Sequence, residues 1–240
     1  MAIKKSNKLV PDNDICIKGS VQLSSDKSLS IRSVLFASIA YGISHLKIND
    51  PGEDALTSIM AIKKLGIKVT QSDNQYTIYG LGIGYPSLKK RLLINCRNSG
   101  TTLRLLTPLI AGSKVNAKII GDHSLSKRPY RLEFLKEFLM NVKPTKKKFL
   151  PLMINGHANC VQAEIKINKP SAQMVSAATL AGISSFGETI IECPNNVRDH
   201  TSRMLKYLGY SIKTKNFRKK QTIKILGKQF LQPIKNYEVP

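Results

Sequence analysis

An internal echo restricts this chain more than any other feature. Gly42, Gly112 and Gly182 stand 70 residues apart, and each closes an apolar run with helical spacing: SLSIRSVLFASIAYG, TLRLLTPLIAG and AQMVSAATLAG. A strand-like segment follows each glycine, in HLKIND, AKIIGD and ETIIECP. A second helical pattern then closes on Gly66, Asn141 and Gly209, the residue types that suit a left-handed C-terminal cap. Two short strand signals around a turn end at Gly80, Gly156 and Gly227. Each unit reads strand, helix, strand, helix, strand, strand, and three units cover about residues 20–82, 92–156 and 164–227. One such unit is too small to bury its own helices, whereas three packed together bury them in a shared core. The expected fold is therefore α/β: three βαβαββ repeats in one domain over 20–240, with buried parallel helices and outer four-stranded sheets.

Composition agrees with a packed core, since 42% of the 240 residues are apolar. No apolar run approaches the ~18 residues that span a bilayer, and the opening MAIKKSNKLVPDND has no hydrophobic stretch behind its basic residues. These features predict a soluble, cytoplasmic chain without a membrane partner. Cys16, Cys96, Cys160 and Cys193 are isolated in sequence and lack C-x-x-C spacing or a histidine cluster, so no metal is assigned and each reads as a packing residue.

The charge balance is extreme: 38 Lys and Arg against 15 Asp and Glu, a net +23. Such a field draws nucleic acid, anionic membrane or small anions. Aromatics are 6%, tryptophan is absent, and no zinc-finger, basic-zipper or RNP pattern occurs, so no specific nucleic-acid partner is assigned. A basic nucleic-acid-binding module stays as an alternative reading. The runs Lys146-Lys147-Lys148 and Arg218-Lys219-Lys220 fall between periodic segments and read as solvated loop tips.

The first helix of every unit opens on small polar residues: Ser24, Ser25 and Asp26; Asn98, Ser99, Gly100 and Thr101; Ser171. These are N-cap types, and a helix start with free backbone N–H groups is an anion site. Yet Lys27, Arg32 and Arg104 put cations near ends that already carry positive partial charge, which costs roughly 0.3–1 kcal/mol each at an exposed end. A phosphate or carboxylate between cation and helix end removes the conflict. If the packing aligns the three helices, these ends and cations share one electropositive pocket. Arg128 in SLSKRPYRL and Arg198 in NNVRDHTSRML join them near the starts of the second helices, because a planar guanidinium fork suits phosphate or carboxylate. His200 reads as a surface histidine.

The segments DKSLSIR, NSGTTLRLL, GDHSLSKRPYRL, PSAQMVSAATLAG and RDHTSRMLKYLG, in this order and spacing, resemble the 3-phosphoshikimate 1-carboxyvinyltransferases, or EPSP synthases, from about residue 16 to the last residue. The resemblance implies a domain of the enolpyruvyl-transferase type. It implies transfer of the enolpyruvyl group of phosphoenolpyruvate to the 5-hydroxyl of shikimate 3-phosphate, releasing phosphate, by addition and elimination with no cofactor and no metal. Carried over by position, Lys27 touches both substrates as the catalytic residue, and Ser28, Arg32, Ser171, Ala172, Gln173 and Arg198 hold shikimate 3-phosphate. Gly100, Arg128 and Gln173 join Lys27 around phosphoenolpyruvate.

Ser24-Ser25 and Ile31 stand where the family carries Pro-Gly and a histidine, and LMNVKPTKKKFLPLMING is short and lacks the glycine that closes its helix. The second unit is therefore expected to be locally altered. Relatives are monomeric and continue past Tyr237-Glu238-Val239-Pro240 into a second domain that supplies an acid/base aspartate and glutamate, two more arginines and a lysine. Residues 1–19 in relatives add a strand to that domain. The carboxyl groups here, Asp26, Asp54, Asp122 and Asp199, read as capping or surface residues, so the chain alone is expected to bind anions weakly and turn over little unless a second half is supplied separately. A related class transfers the same group to a UDP-sugar with a reactive loop cysteine, but Cys96 reads as a strand residue.

Overall fold

The computed structural model of the chain describes residues 19–21, 23–88 and 90–240. In chain order the elements are α1 (Lys27–Ile39), β1 (Tyr41–Lys47), α2 (Glu53–Lys64), β2 (Lys68–Ser72) and β3 (Gln75–Leu81). There follow β4 (Leu92–Asn95), α3 (Gly100–Ala111), β5 (Asn116–Ile120), α4 (His123–Ser126), a 3-10 helix Glu133–Phe138, β6 (Asn141–Lys146) and β7 (Phe149–Asn155). Last come β8 (Glu164–Lys166), α5 (Ala172–Ser184), β9 (Glu188–Pro194), α6 (His200–Tyr207), β10 (Ile212–Phe217), β11 (Lys220–Leu226) and β12 (Tyr237–Glu238).

Helices α1, α3 and α5 are buried on every face beyond their first turn, as a helix without a polar stripe must be. Several of their hydroxyl groups bond back along the helix: Ser33 donates to the Ser30 carbonyl, Ser38 to Leu35, Thr107 to Leu103 and Ser184 to Leu180. The exposed-side helix α2 is ordinary, with Glu53 and Asp54 in its first turn and Lys63 and Lys64 in its last, complementing its dipole. α3 packs against both α1 and α5, and one continuous apolar cluster runs through all three parts of the chain.

Three four-stranded sheets share one plan, in the orders β4-β5-β7-β6, β8-β9-β11-β10 and β12-β1-β3-β2. In each, the first two strands run parallel and the rest antiparallel. The α/β expectation holds, with two corrections. The first unit does not open with a strand near residue 20 among the described residues. Its place beside β1 is taken by β12 from the other end of the chain, where the Val239 N–H donates to the Lys47 carbonyl at 2.9 Å and Ser25 Oγ to the Val239 carbonyl at 2.8 Å. The expected role of residues 1–19 lies outside the described residues, Gly19 apart.

The second correction concerns the second helix of the middle unit. It breaks into α4 and the 3-10 helix, and closes on left-handed Leu139 (φ 59°) while Asn141 already lies in β6. No glycine or asparagine stands at the closing position, and Pro129 has no N–H to continue a helix out of α4. Gly66 and Gly209, by contrast, take the positive φ that a left-handed helix end requires (89° and 77°).

The glycines at 70-residue spacing are not equivalent in three dimensions. Gly42 lies in β1, Gly112 caps α3, and Gly182 is inside α5. The deeper equivalence is at Gly80, Gly156 and Gly227. There the end of β3, β7 or β11 crosses the end of a buried helix so closely that an added Cβ would stand 2.2 Å from the Ala40 carbonyl oxygen, 2.4 Å from that of Ser113 and 1.7 Å from that of Ser185. Only a residue without a Cβ fits such a crossing.

Candidate functional site

The three buried helices begin together. Each start is capped by its own side chain: Asp26 accepts the Leu29 N–H at 2.7 Å, Ser99 the Thr102 N–H at 3.2 Å and Ser171 the Met174 N–H at 3.4 Å. Each cap uses one amide and leaves other first-turn donors open. Side chains tie the starts to one another. Gln173 in the first turn of α5 donates through Nε2 to Thr101 Oγ1 of α3 at 3.0 Å, and Arg32 of α1 donates through Nη2 to Ser176 Oγ of α5 at 3.1 Å.

Arg32 is almost wholly buried, 4% exposed. Its Nε donates to Thr201 Oγ1 on α6 at 3.0 Å and its Nη1 to the Ser28 carbonyl at 3.0 Å, so these partners are neutral oxygens, and among the described residues no carboxylate pairs with it. Burial first, with repulsion from Arg198 and against the attraction of Asp26, pulls the guanidinium below its ordinary pKa. A guanidinium nevertheless stays charged. A buried cation with no opposite charge beside it carries a large desolvation cost.

Among the described residues, most of the expected site residues divide between two cavities, where the sequence suggested one. The first, about 300 Å³, is lined by Ser28, Arg32, Ser171, Ala172, Gln173 and Arg198, with Thr101, Asn196 and His200 between them. The second, about 520 Å³, is lined by Lys27 and Arg128 together with Asn98, Asp50, Glu53 and Asp54. The second is mixed in charge because the acidic first turn of α2 lies against the start of α1: Lys27 Nζ is 3.1 Å from Asp54 Oδ2. Arg128 follows α4 and is held by the Asn98 and Ser124 side chains, both at 2.8 Å. Gly100, the first residue of α3, is buried and lines neither cavity, its carbonyl accepting from Arg104.

Sequence reasoning missed the residues that hold the site in place. Thr201 on α6 and Ser176 on α5 were passed over because a hydroxyl near a helix start carries no periodic signal, and Asn98 and Thr101 read only as parts of a helix start. Ser176, inside the otherwise apolar run AQMVSAATLAG, was the available hint. His200 is half-buried and borders the first cavity, more involved than a surface histidine. Asp26 and Asp122 cap helices, as expected, whereas Asp54 pairs with Lys27. Cys96 follows β4 fully buried, and burial pushes its thiol up to about 12, which leaves it without the thiolate a nucleophile needs.

Buried guanidinium groups and clustered helix starts beside a small cavity define the class: an α/β domain that gathers positive charge at one end of its buried helices. The comparisons with known proteins make the family definite. The family model for EPSP synthase (3-phosphoshikimate 1-carboxyvinyltransferase) matches residues 13–240. The chain is 39% identical over 201 residues to the 3-phosphoshikimate 1-carboxyvinyltransferase of Thermodesulfovibrio yellowstonii, covering 82% of this chain and 46% of that protein. It is 35% identical over 218 residues to the enzyme of the same name from Bacillus cytotoxicus, covering 90% and 50%. The solved EPSP synthase from Acinetobacter baumannii superposes with a TM-score of 0.83 at 32% identity, over 92% of this chain and 50% of that one. This chain belongs to the EPSP synthase family, and it spans about half the length of the relatives it matches.

Proposed function

We propose that the chain carries the acceptor-binding side of a 3-phosphoshikimate 1-carboxyvinyltransferase. Shikimate 3-phosphate takes the first cavity, with Arg32 and Arg198 on its phosphate and Ser28, Ser171, Ala172 and Gln173 around it. Phosphoenolpyruvate takes the neighbouring side, between Lys27, Gly100, Arg128 and Gln173. The observation that carries this reading is the buried Arg32 guanidinium, which among the described residues bonds only to neutral oxygens and lines a cavity at converging helix starts. The family and the order of its motifs support the choice of substrates.

In the reaction, the 5-hydroxyl oxygen gives up its proton and bonds to C2 of phosphoenolpyruvate while a proton adds to C3. Loss of phosphate from C2 and of a proton from C3 then restores the vinyl group. The part taken by this chain is to hold two polyanions side by side, which neutralises their mutual repulsion and fixes the attack distance. Lys27 and Arg128 screen the charge of the phosphate that leaves. The reading places the protein in the cytoplasm, and among the described residues no helix is long and apolar enough to cross a membrane.

Titration calorimetry tests the assignment. Shikimate 3-phosphate should bind with an affinity at least about tenfold above that of shikimate, the value of one hydrogen bond to a charged group, and a UDP-sugar should not displace it. Preference for the UDP-sugar would select the related enolpyruvyl transferases instead. Tight binding to single-stranded nucleic acid that collapses with salt would favour a basic module.

A further inference from the structure

Arg104 is the second buried guanidinium of this end of the molecule, and no substrate contact is assigned to it. It is 8% exposed. Its Nη1 donates to the Gly100 carbonyl at 3.1 Å and to Gln173 Oε1 at 3.0 Å, and its Nη2 donates to the Pro129 carbonyl at 2.9 Å. The three acceptors belong to three segments: the start of α3, the start of α5, and the turn that carries Arg128. No carboxylate pairs with it among the described residues. Burial in the first place, then Arg131 and Arg128, hold its pKa below the ordinary arginine value.

A buried cation bonded only to neutral oxygens is expensive to keep, so its geometry needs a reason. The reason lies at Gln173. An amide has an acceptor end and a donor end, and which end faces a cavity is set by its other partners. Arginine is a donor only, so the side chain of Gln173 must turn Oε1 toward Arg104. Nε2 then faces Thr101 Oγ1 at 3.0 Å, and its second N–H is left for the cavity that Gln173 and Thr101 both line. Without Arg104 the amide is free to flip, and a flipped amide presents an oxygen to an incoming anion.

We infer that Arg104 is a positioning residue of the anion site: it locks the Gln173 amide with its donor toward the first cavity and, through Pro129, holds the turn on which Arg128 stands. This rests on the proposed reading of the cavity as an anion site, and deepens it by naming what selects a negatively charged ligand there.

The test measures shikimate 3-phosphate and inorganic phosphate binding by calorimetry on four forms of the full chain: wild type, Arg104→Met, Gln173→Met and the double variant. Arg104→Met should lower affinity for both ligands about tenfold, the weak end of the range for a hydrogen bond to a charged group. Gln173→Met should do the same, and the double variant should be no worse than the weaker single one, because both remove one donor. A purely structural Arg104 would lower the melting temperature and leave the affinity of the folded protein untouched. Wild-type affinity in Arg104→Met overturns the inference, and so does a double variant that loses the product of the two single effects. Should Arg104→Met not fold, Arg104→Lys decides: its single ammonium cannot span three acceptors, so a loss of threefold or more supports positioning and unchanged binding refutes it. Binding by the wild type with no effect of Arg104 overturns this inference alone. Binding of neither ligand by the wild type overturns the anion-site reading as well.

Discussion

Replacing Gly227 by alanine tests the packing that makes three repeated units one body. An alanine Cβ at this position would lie 1.7 Å from the Ser185 carbonyl oxygen and 2.7 Å from that of Gly182, whereas real Cβ atoms essentially never come closer than 3.0 Å. The strand end and the last turn of α5 must therefore separate by at least 1.3 Å, the difference between 3.0 and 1.7. Both sides are backbone, so no side chain can swing away. Gly227 does not take a positive φ, and steric overlap alone sets the cost. Overpacking costs about 1–3 kcal/mol and occasionally more, and two backbones in contact argue for the upper end, ~3 kcal/mol. For a chain of this size that lowers the melting temperature by about 6–12 °C. Gly80→Ala and Gly156→Ala should follow with smaller losses, their closest approaches being 2.2 and 2.4 Å. Gly52→Ser is the control: nothing lies within 4 Å of its Cβ, it caps α2 with an extended backbone, and a serine there should be neutral or stabilising by a few tenths of a kcal/mol. Thermal melts followed by circular dichroism, with urea midpoints at constant slope, read the series. A Gly227→Ala melt within about 2 °C of wild type, less than the shift of a single kcal/mol, refutes the close crossing.

Two further outcomes follow from the buried groups. Arg32→Met should leave stability within about 1 kcal/mol of wild type, since an apolar replacement for a buried cation is often neutral or better. The same variant should lose shikimate 3-phosphate affinity by about a hundredfold, for two charge-assisted bonds at about 1.5 kcal/mol each; calorimetry beside a melt reads both, and a variant that unfolds but still binds when folded contradicts it. Burial raises the thiols of Cys96 to about 12 and of Cys160 to about 11, so each keeps its proton in the folded chain at pH values where the unfolded chain has lost it. The stability they contribute is complete below pH 9 and falls as pH rises from there through 11 to 12. Melts at pH 8 and 10.5 should show the decline, Cys96→Val should blunt it, and a flat profile counts against the burial.

Much of the fold was legible because its signals are local. Helix starts at Asp26, Ser99 and Ser171 declare themselves through capping chemistry, and glycine ends at Gly66 and Gly209 through a backbone angle few other residues tolerate. Where local chemistry was ambiguous the reading slipped: Leu139 closes a 3-10 helix in a conformation its side chain does not advertise, and β12 pairs with a strand some 190 residues earlier in the chain. At the site, cations near helix starts were visible as a local conflict. That Lys27 faces an acidic turn while Arg32 faces hydroxyls was not, because both are decided by neighbours distant in sequence.

The amino-acid order by itself therefore settled the α/β class, the alternation of elements, the starts of the buried helices and the family, since each depends on short stretches and their spacing. Only the tertiary structure decided that the helix starts flank two cavities instead of one, that the chain's far end completes the first sheet, and that Gln173 is bound by Arg104. Those outcomes turn on which backbone and which side chain arrive at the same point in space, and packing, not pattern, brings them there.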